Sequence, residues 1–311
     1  MLKSIDPKVA AVLALNLCCS LSIVFFNKWL YQEMKFPNLS LTLLHFICTS
    51  LGLFICQQCK VFEVKRLPLM QILPLSVTFC GFVVFTNLSL QSNTVGTYQL
   101  AKILTTPVII VIQTMLFNVS FSTRIKLSLI PISIGVFMNS YYDIKFNVIG
   151  TIYALLGVLV TSVYQVLVKN KQADLKANSM QLLLYQAPMS SVMLLCVLPF
   201  LEPVFSDGGV FAGQLTTSAI SLALTTGCIA VLINITIFWI IGNTSPVTYN
   251  IFGHFKFCLT IIGGFFIFHD PIQMYQVLAI LITLSGVFVY TYEKLRPQPP
   301  VVTKDDIEEG K

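Results

Sequence analysis

The sequence predicts an all-α polytopic membrane protein with ten transmembrane helices in two inverted five-helix repeats. Of the 311 residues, 56% are hydrophobic and only 10% are charged, and the mean hydropathy is +0.82. A soluble domain usually carries about 25% charged residues. The apolar runs continue for about 20 residues at a time, as in membrane-spanning helices, whereas the strands of a barrel alternate apolar and polar residues. Only helices and closed barrels satisfy their backbone hydrogen bonds in lipid, so we expect a helical bundle.

Ten apolar runs mark the predicted helices. They cover residues 8–31, 38–58, 70–91, 95–117, 125–142, 147–168, 179–201, 216–241, 246–268 and 271–292. The first run is too long for the apolar region of a signal peptide and has no clear A-x-A site, so we expect a retained span.

Lysine and arginine are distributed unequally between the loops. With a cytoplasmic N-terminus, the tails and loops on that side hold fourteen of the nineteen, and the opposite side holds two, Lys35 and Lys145. This positive-inside bias predicts that both termini are cytoplasmic. The net charge of +6 follows from this topology, so no nucleic-acid partner is needed to explain it.

The chain contains an internal repeat. Residues 97–141 align with residues 248–292 at a constant offset of 151, and the matches include polar positions such as Thr97-Tyr98 with Thr248-Tyr249. Because five helices are an odd number, the second half enters the membrane from the opposite side, which is the inverted architecture of many secondary transporters. The expected units are a first repeat, a second repeat and a disordered cytoplasmic tail, at residues 1–143, 144–293 and 294–311.

Three lysines, Lys28, Lys102 and Lys256, lie inside apolar runs that contain no acidic residue. A charge in the bilayer centre is costly and normally faces a partner or a water-filled cavity. All thirteen acidic residues fall in predicted loops and tails. The substrate is therefore the expected anion. For Lys28, near a helix end, an interfacial position of the ammonium group is the alternative.

The fourth helix presents a cation and an aromatic ring on one face. Tyr98 and Lys102 are four residues apart, and Thr105 lies three residues further along. Pro107 removes a backbone hydrogen bond, so we expect a kink at this point.

The ninth helix carries the matching arrangement. Pro246 suits its first turn, and Tyr249, Gly253 and Lys256 follow at spacings of four and three. At about 1.5 Å per residue, Lys256 lies roughly 15 Å into the helix, near the midplane. Because inverted symmetry brings the two helices together, the two ammonium groups predict a phosphate-bearing ligand with a ring that can stack.

Tyr185 and Gln186 on the seventh helix are the next polar pair in apolar surroundings. Gln186 either forms a hydrogen bond between helices or reads a base or sugar, and both alternatives stay open. We interpret Asn27, Asn87 and Asn234 as packing residues.

The motifs of enzymes are missing from the sequence. It has no P-loop and no G-x-G-x-x-G, H-E-x-x-H or G-x-S-x-G pattern, so we expect neither an enzyme nor a bound cofactor or metal. Without a carboxylate inside the membrane, the usual proton or sodium relay is also missing. The simplest way to drive transport is then the exchange of one anion for another.

Three stretches of the sequence resemble the drug/metabolite transporter superfamily, in its triose-phosphate and nucleotide-sugar branch, and solute carrier family 35 in particular. They are Phe26-Asn27-Lys28-Trp29, Tyr98-Gln99-Leu100-Ala101-Lys102 with Thr105-Thr106-Pro107, and Ser245-Pro246-Val247-Thr248-Tyr249-Asn250 with Gly253-His254-Phe255-Lys256. The chain is also similar to plant Golgi transporters for UDP-xylose, UDP-rhamnose and UDP-galactose. The resemblance implies a Golgi antiporter that imports a nucleotide sugar and returns a nucleoside monophosphate, with phosphates bound by Lys102 and Lys256 and with Asn250 at the site.

The departures from the family pattern narrow the expected substrate. The base-reading motif of guanine-nucleotide transporters is reduced to the tyrosine of Leu184-Tyr185-Gln186-Ala187, which disfavours GDP-mannose and leaves a UDP-sugar as the expected substrate. Plastid translocators have a Lys-Arg pair where this chain has Lys256-Phe257. An exchanger of another phosphorylated metabolite for phosphate and a non-transporting membrane scaffold are the alternatives. The choice between a monomer and a homodimer stays open.

Overall fold

The computed structural model describes residues 7–143, 147–202, 215–243, 246–269 and 273–295, and all regular secondary structure in these ranges is α-helical. The helices are α1 Pro7–Gln32, α2 Asn38–Gln58, α3 Leu69–Ser92, α4 Val95–Ile103, α5 Thr105–Leu116, α6 Thr123–Tyr141, α7 Val148–Asp174, α8 Ser179–Leu201, α9 Thr217–Asn243, α10 Pro246–Phe268 and α11 Met274–Leu295. Eight stretches of described helix are long and apolar enough to cross a membrane. The prediction of an all-α polytopic membrane protein is therefore confirmed.

The fourth predicted span is divided into α4 and α5 at Leu104. Pro107 has no N–H group to donate to the carbonyl one turn earlier, and its ring crowds that carbonyl. The Leu104 N–H instead bonds to the Ala101 carbonyl at 3.0 Å, and the Thr105 hydroxyl donates to the Lys102 carbonyl at 2.7 Å. The interruption thus lies one turn before the proline.

Helix α7 is longer than its apolar run. It continues to Asp174, six residues past the predicted end, and Lys171 lies 3.5 Å from the Asp174 carboxylate. All other helix ends fall within three residues of the prediction. Apolar length predicts the membrane span, whereas the helix continues into water where charged residues favour it.

The helices pair with partners that are distant in the chain. Helix α6 packs along α11, α3 along α7, and α1 along α9, while α2 contacts both α8 and α9. Helix α3 also contacts α8, and α4 contacts α10. The two helices that carry Lys102 and Lys256 are therefore neighbours.

A buried polar cluster fixes the start of α4. Thr94 caps the helix by accepting a hydrogen bond from the Thr97 N–H at 3.2 Å. The Asp143 carboxylate, just after α6, accepts hydrogen bonds from the hydroxyls of Thr94, at 3.0 Å, and Thr97. Asn139 donates to the Thr97 hydroxyl at 3.1 Å. Charge-assisted bonds of this kind are about twice as strong as neutral ones, so α4 has a firm anchor at this end.

Candidate functional site

A cavity of about 450 Å³ lies in the middle of the bundle, between α1, α2, α3, α4, α9 and α10. Lys102 and Lys256 both line it, together with Tyr98 and Gly253. Small-molecule sites in proteins commonly measure about 300–1,000 Å³. Four of the residues that the sequence singled out thus surround one space of suitable size.

Lys102 enters the cavity from the last turn of α4. Its Nζ atom lies 4.2 Å from the centroid of the Tyr98 ring, in a cation–π contact. The C-terminal end of a helix carries partial negative charge, which favours a cation at this position. Because the Lys102 side chain is exposed, its ammonium group is accessible to a ligand in the cavity. Thr105 lines a narrow side pocket next to Tyr98 and Lys102 instead of the main cavity.

Lys256 is held from α1 at mid-depth in the bundle. Its Nζ atom donates to the Asn16 side-chain oxygen at 3.0 Å and to the Ser20 hydroxyl at 3.2 Å. Asn16 is fully buried and donates through its Nδ2 to the Thr236 hydroxyl at 2.8 Å. Asn16 and Ser20 are electrically neutral, so these two contacts orient the ammonium group without adding a counter-charge.

The wall beside Lys256 is open at Gly253. A Cβ atom at this position would meet no atom of the described residues within 4 Å. One turn of α10 therefore leaves room next to the ammonium group. The side chains of Tyr249 and Asn250, which the sequence also places on this helix, lie outside the described part of the structure.

Lys28 occupies a different place from the other two lysines. Its side chain is 1% exposed and is not among the residues that line the cavity. Its Nζ atom donates to the Asn93 carbonyl and lies 5.5 Å from the centroid of the Phe268 ring. The geometry therefore places Lys28 at the junction of α1 with the α3–α4 turn, and supports neither a direct substrate contact nor an exposed interfacial position.

Tyr185 and Gln186 also lie away from the cavity lining. The Tyr185 hydroxyl donates to the Lys65 carbonyl at 2.9 Å, in the segment between α2 and α3. Gln186 is 1% exposed, and its Oε1 accepts a hydrogen bond from the Tyr164 hydroxyl of α7 at 2.9 Å. Of the two alternatives for Gln186, the structure favours the hydrogen bond between helices.

Three asparagines that the sequence suggested as packing residues line the cavity. Asn87 donates to the Thr42 hydroxyl at 2.9 Å, and Asn234 donates to the Ala230 carbonyl of its own helix at 3.0 Å. Asn27 Oδ1 is buried and accepts no hydrogen bond from the described residues. These side chains can therefore stabilise helix packing and also form part of the cavity wall.

The polar face of α1 was not predicted from the sequence. Asn16, Ser20 and Asn27 recur at helical spacing, and they reach Lys256 or the cavity wall. A search for polar periodicity within the apolar run would have found this face.

A group of aromatic rings forms another part of the cavity wall. Phe46, Phe79 and Phe82 all line the cavity. The Phe79 centroid lies 5.2 Å from that of Phe46 and 5.4 Å from that of Phe82. Next to them, His45 Nε2 lies 2.9 Å from the Thr226 hydroxyl. The cavity therefore combines cationic, polar and aromatic surfaces.

Comparison with known proteins gives a consistent assignment. The model of the Triose-phosphate Transporter family matches residues 8–291. UDP-xylose transporter 1 of Arabidopsis thaliana is 32% identical, over 94% of this chain and 85% of that protein. UDP-galactose transporter 1 and GDP-mannose transporter GONST5 of the same plant are 31% and 32% identical, each over 88% of this chain and over 83% and 82% of their own lengths.

A solved crystal structure shares the fold, with a TM-score of 0.51 at 15% identity, over 93% of this chain and 99% of the other. Since the family model covers nearly the whole chain and these transporters align along most of their length, the chain belongs to the Triose-phosphate Transporter family.

Proposed function

We propose that the protein is a secondary antiporter that exchanges a nucleotide sugar for a nucleoside monophosphate across the Golgi membrane by alternating access. The observation that carries this proposal is the convergence of Lys102 and Lys256 on one cavity. Lysine binds phosphate as a point charge, and the low-dielectric walls of a cavity strengthen that attraction compared with bulk water.

The substrate class follows from the cavity and the relatives together. Relatives are named as transporters of UDP-xylose, UDP-galactose and GDP-mannose, which are all sugars joined to a nucleoside diphosphate. A UDP-sugar is the first candidate, because the motif at residues 184–187 departs from that of guanine-nucleotide transporters. The Golgi location rests on the resemblance to Golgi transporters, and the cytoplasmic position of both termini rests on the positive-inside bias.

The pairing of the helices supports two inverted repeats, at residues 1–143 and 144–293. An exchange of the halves replaces α1, α2, α3, α4–α5 and α6 by α7, α8, α9, α10 and α11. Under this exchange the α3–α7 contact becomes the α1–α9 contact, and the α2–α9 contact becomes the α3–α8 contact. The pairs α2–α8, α4–α10 and α6–α11 are exchanged with themselves. The cavity is lined by helices of both halves, which supports a substrate site at the interface of the repeats, as in other transporters built from inverted repeats.

The positive charge of Lys102 and Lys256 favours the exchange of one anion for another over the transport of a single anion. Two ammonium groups repel each other across an empty site, and a bound phosphate removes this repulsion in either direction of transport. We therefore expect a bound anion to lower the barrier to reorientation, which would couple the outward passage of one ligand to the inward passage of the other.

The test is exchange in liposomes that contain the purified protein. Liposomes loaded with UMP, GMP, AMP or phosphate are offered labelled UDP-xylose, UDP-galactose or GDP-mannose. We expect uptake that depends on an internal nucleoside monophosphate and that is lost in Lys102→Gln and Lys256→Gln. Lys169→Gln, on an exposed part of α7 outside the cavity lining, is the matched control. Uptake that is independent of the internal solute would contradict antiport.

A second candidate is exchange of another phosphorylated metabolite for phosphate. It is favoured by the family model, which is named for triose phosphates, and by the ability of two lysines to hold a phosphate whatever it carries. Phosphate-loaded liposomes offered triose phosphate separate the two candidates in the same assay. A non-transporting scaffold would show no exchange with any pair of solutes.

A further inference from the structure

The aromatic rings that line the cavity pack against a second layer of side chains. Phe82 is stacked on Tyr164 of α7, with ring centroids 4.8 Å apart and an angle of 27° between the ring planes. Phe79 also contacts Tyr164, at 5.6 Å between centroids. The Tyr164 hydroxyl in turn donates to Gln186 at 2.9 Å. Gln186 therefore lies outside the cavity lining and positions the Tyr164 ring, against which Phe82 packs.

These rings are better placed than Tyr98 to stack with a ligand. Tyr98 is 6% exposed, and the Lys102 ammonium group already lies 4.2 Å from its ring centroid. Phe46 is 3% exposed, whereas Phe79 and Phe82 are only partly buried and line the cavity. Since Tyr164 covers one face of Phe82, its other face can extend the stack.

Phe82 and Lys256 lie at similar depths in the bundle. Phe82 is the fourteenth of the 24 residues of α3, and Lys256 is the eleventh of the 23 residues of α10. A ligand at mid-depth can therefore reach both surfaces of one cavity. A nucleotide combines the two groups that these surfaces bind, an anionic phosphate and a flat aromatic base.

We infer that Phe82 and Phe79 form the stacking platform for the nucleobase, while Lys102 and Lys256 bind the phosphate of the same ligand. The base stacks on the free face of Phe82, and the Phe79 ring, which stands at 75° to Phe82, contacts the edge of the base. This inference rests on the proposed function and assigns the base to α3 instead of to Tyr185 and Gln186. Stacking tolerates any base because every base has a π-face, so the platform accepts both uracil and guanine. Selection between bases must then come from polar groups near the platform.

The inference is tested with two ligands that differ by the base, UMP and ribose 5-phosphate. Their affinities for the purified full-length protein are measured by isothermal titration. We expect Phe82→Leu to weaken UMP binding by roughly 5-fold to 150-fold, the range that loss of one base–aromatic stack corresponds to, and to leave ribose 5-phosphate unchanged. Lys256→Gln should weaken both ligands. Phe137→Leu, 64% exposed on the outer surface of α6, controls for the loss of an aromatic ring elsewhere.

The outcomes separate this inference from the proposed function. Equal weakening of both ligands by Phe82→Leu, or no effect on either, overturns the stacking platform while the phosphate site stands. A wild-type protein that binds ribose 5-phosphate as tightly as UMP overturns it too. A wild-type protein that binds neither ligand overturns the proposed function itself. Phe79→Leu provides the same comparison if Phe82→Leu does not fold.

Discussion

A carboxylate placed against Lys256 should block the phosphate site from within. Asn16 Oδ1 lies 3.0 Å from the Lys256 ammonium group, and Asn16 is fully buried. The substitution Asn16→Asp changes the side chain by a single group of nearly the same shape. It supplies inside the protein the anion that we expect the substrate to supply. Asn16→Ala removes the same amide without adding charge, so it is the matched neutral variant.

The expected magnitude follows from this distance. Two unit charges 3.0 Å apart interact with about 5.5 kcal/mol at an effective dielectric constant of 20. Desolvation of the buried carboxylate offsets part of this energy. A hydrogen bond to a charged group contributes about 1.5–3 kcal/mol net. If the phosphate loses a hydrogen bond of about 1.5–3 kcal/mol to Lys256, its affinity falls roughly 10-fold to 150-fold.

The measurement is the affinity of UMP for purified Asn16→Asp, Asn16→Ala and wild-type protein, with thermal unfolding of each. We expect Asn16→Asp to lose UMP binding, because the new carboxylate pairs with Lys256. This ion pair should also offset the loss of the hydrogen bond that the Asn16 amide donates to Thr236, so the thermal midpoint should stay near that of the wild type. Asn16→Ala should keep most of the binding, since the cationic charge remains. If Asn16→Asp binds UMP as tightly as wild type, Lys256 does not hold the phosphate, and the reasoning fails.

Substitutions at four further residues test other parts of the structure. Gly253→Ala should fold normally, since its Cβ meets no atom of the described residues within 4 Å, and it should lower the uptake of nucleotide sugar because it fills space beside Lys256. By contrast, Gly264→Ala places a Cβ 2.6 Å from Val95 Cβ and should lower the free energy of unfolding by about 1–3 kcal/mol. Glu202→Gln should lower the thermal midpoint modestly, by about 1 kcal/mol of stability, because its carboxylate accepts hydrogen bonds from two backbone N–H groups at the start of α2, at 3.1 and 2.9 Å. An unchanged midpoint would show that α2 needs no such cap. Asp143→Ala should destabilise the protein by about 2 kcal/mol through the loss of two threonine hydrogen bonds at the start of α4, and Asp143→Asn by less.

Most of the helices could be predicted from the sequence because a membrane span leaves a local signal. The boundaries of α2 and α8, for example, agree with the prediction to the residue. Pro107 correctly indicated a disruption of the fourth span, and the break at Leu104 lies one turn before the proline, where its ring crowds a carbonyl. The extension of α7 to Asp174 was missed because the search followed apolar residues only.

The candidate site was only partly predictable. Lys102 and Lys256 stand out because an ammonium group in an apolar run has no local explanation. Lys28 gives the same sequence signal, yet it is buried against the Asn93 carbonyl, because the α3–α4 turn happens to pass beside it. Gln186 likewise was a polar residue in apolar surroundings, and its partner Tyr164 could be found only in the folded bundle.

The sequence by itself determined the class of protein, the positions of the spans and the three lysines inside apolar runs, since hydropathy, charge and helical spacing act over a few turns of chain. Only the tertiary structure decided which groups surround those lysines. Asn16 meets Lys256 across 240 residues, and the rings of α2 and α3 meet the same cavity as α10. Such contacts depend on how distant helices pack against each other, and nearly uniform apolar surfaces in lipid carry little local information about that packing.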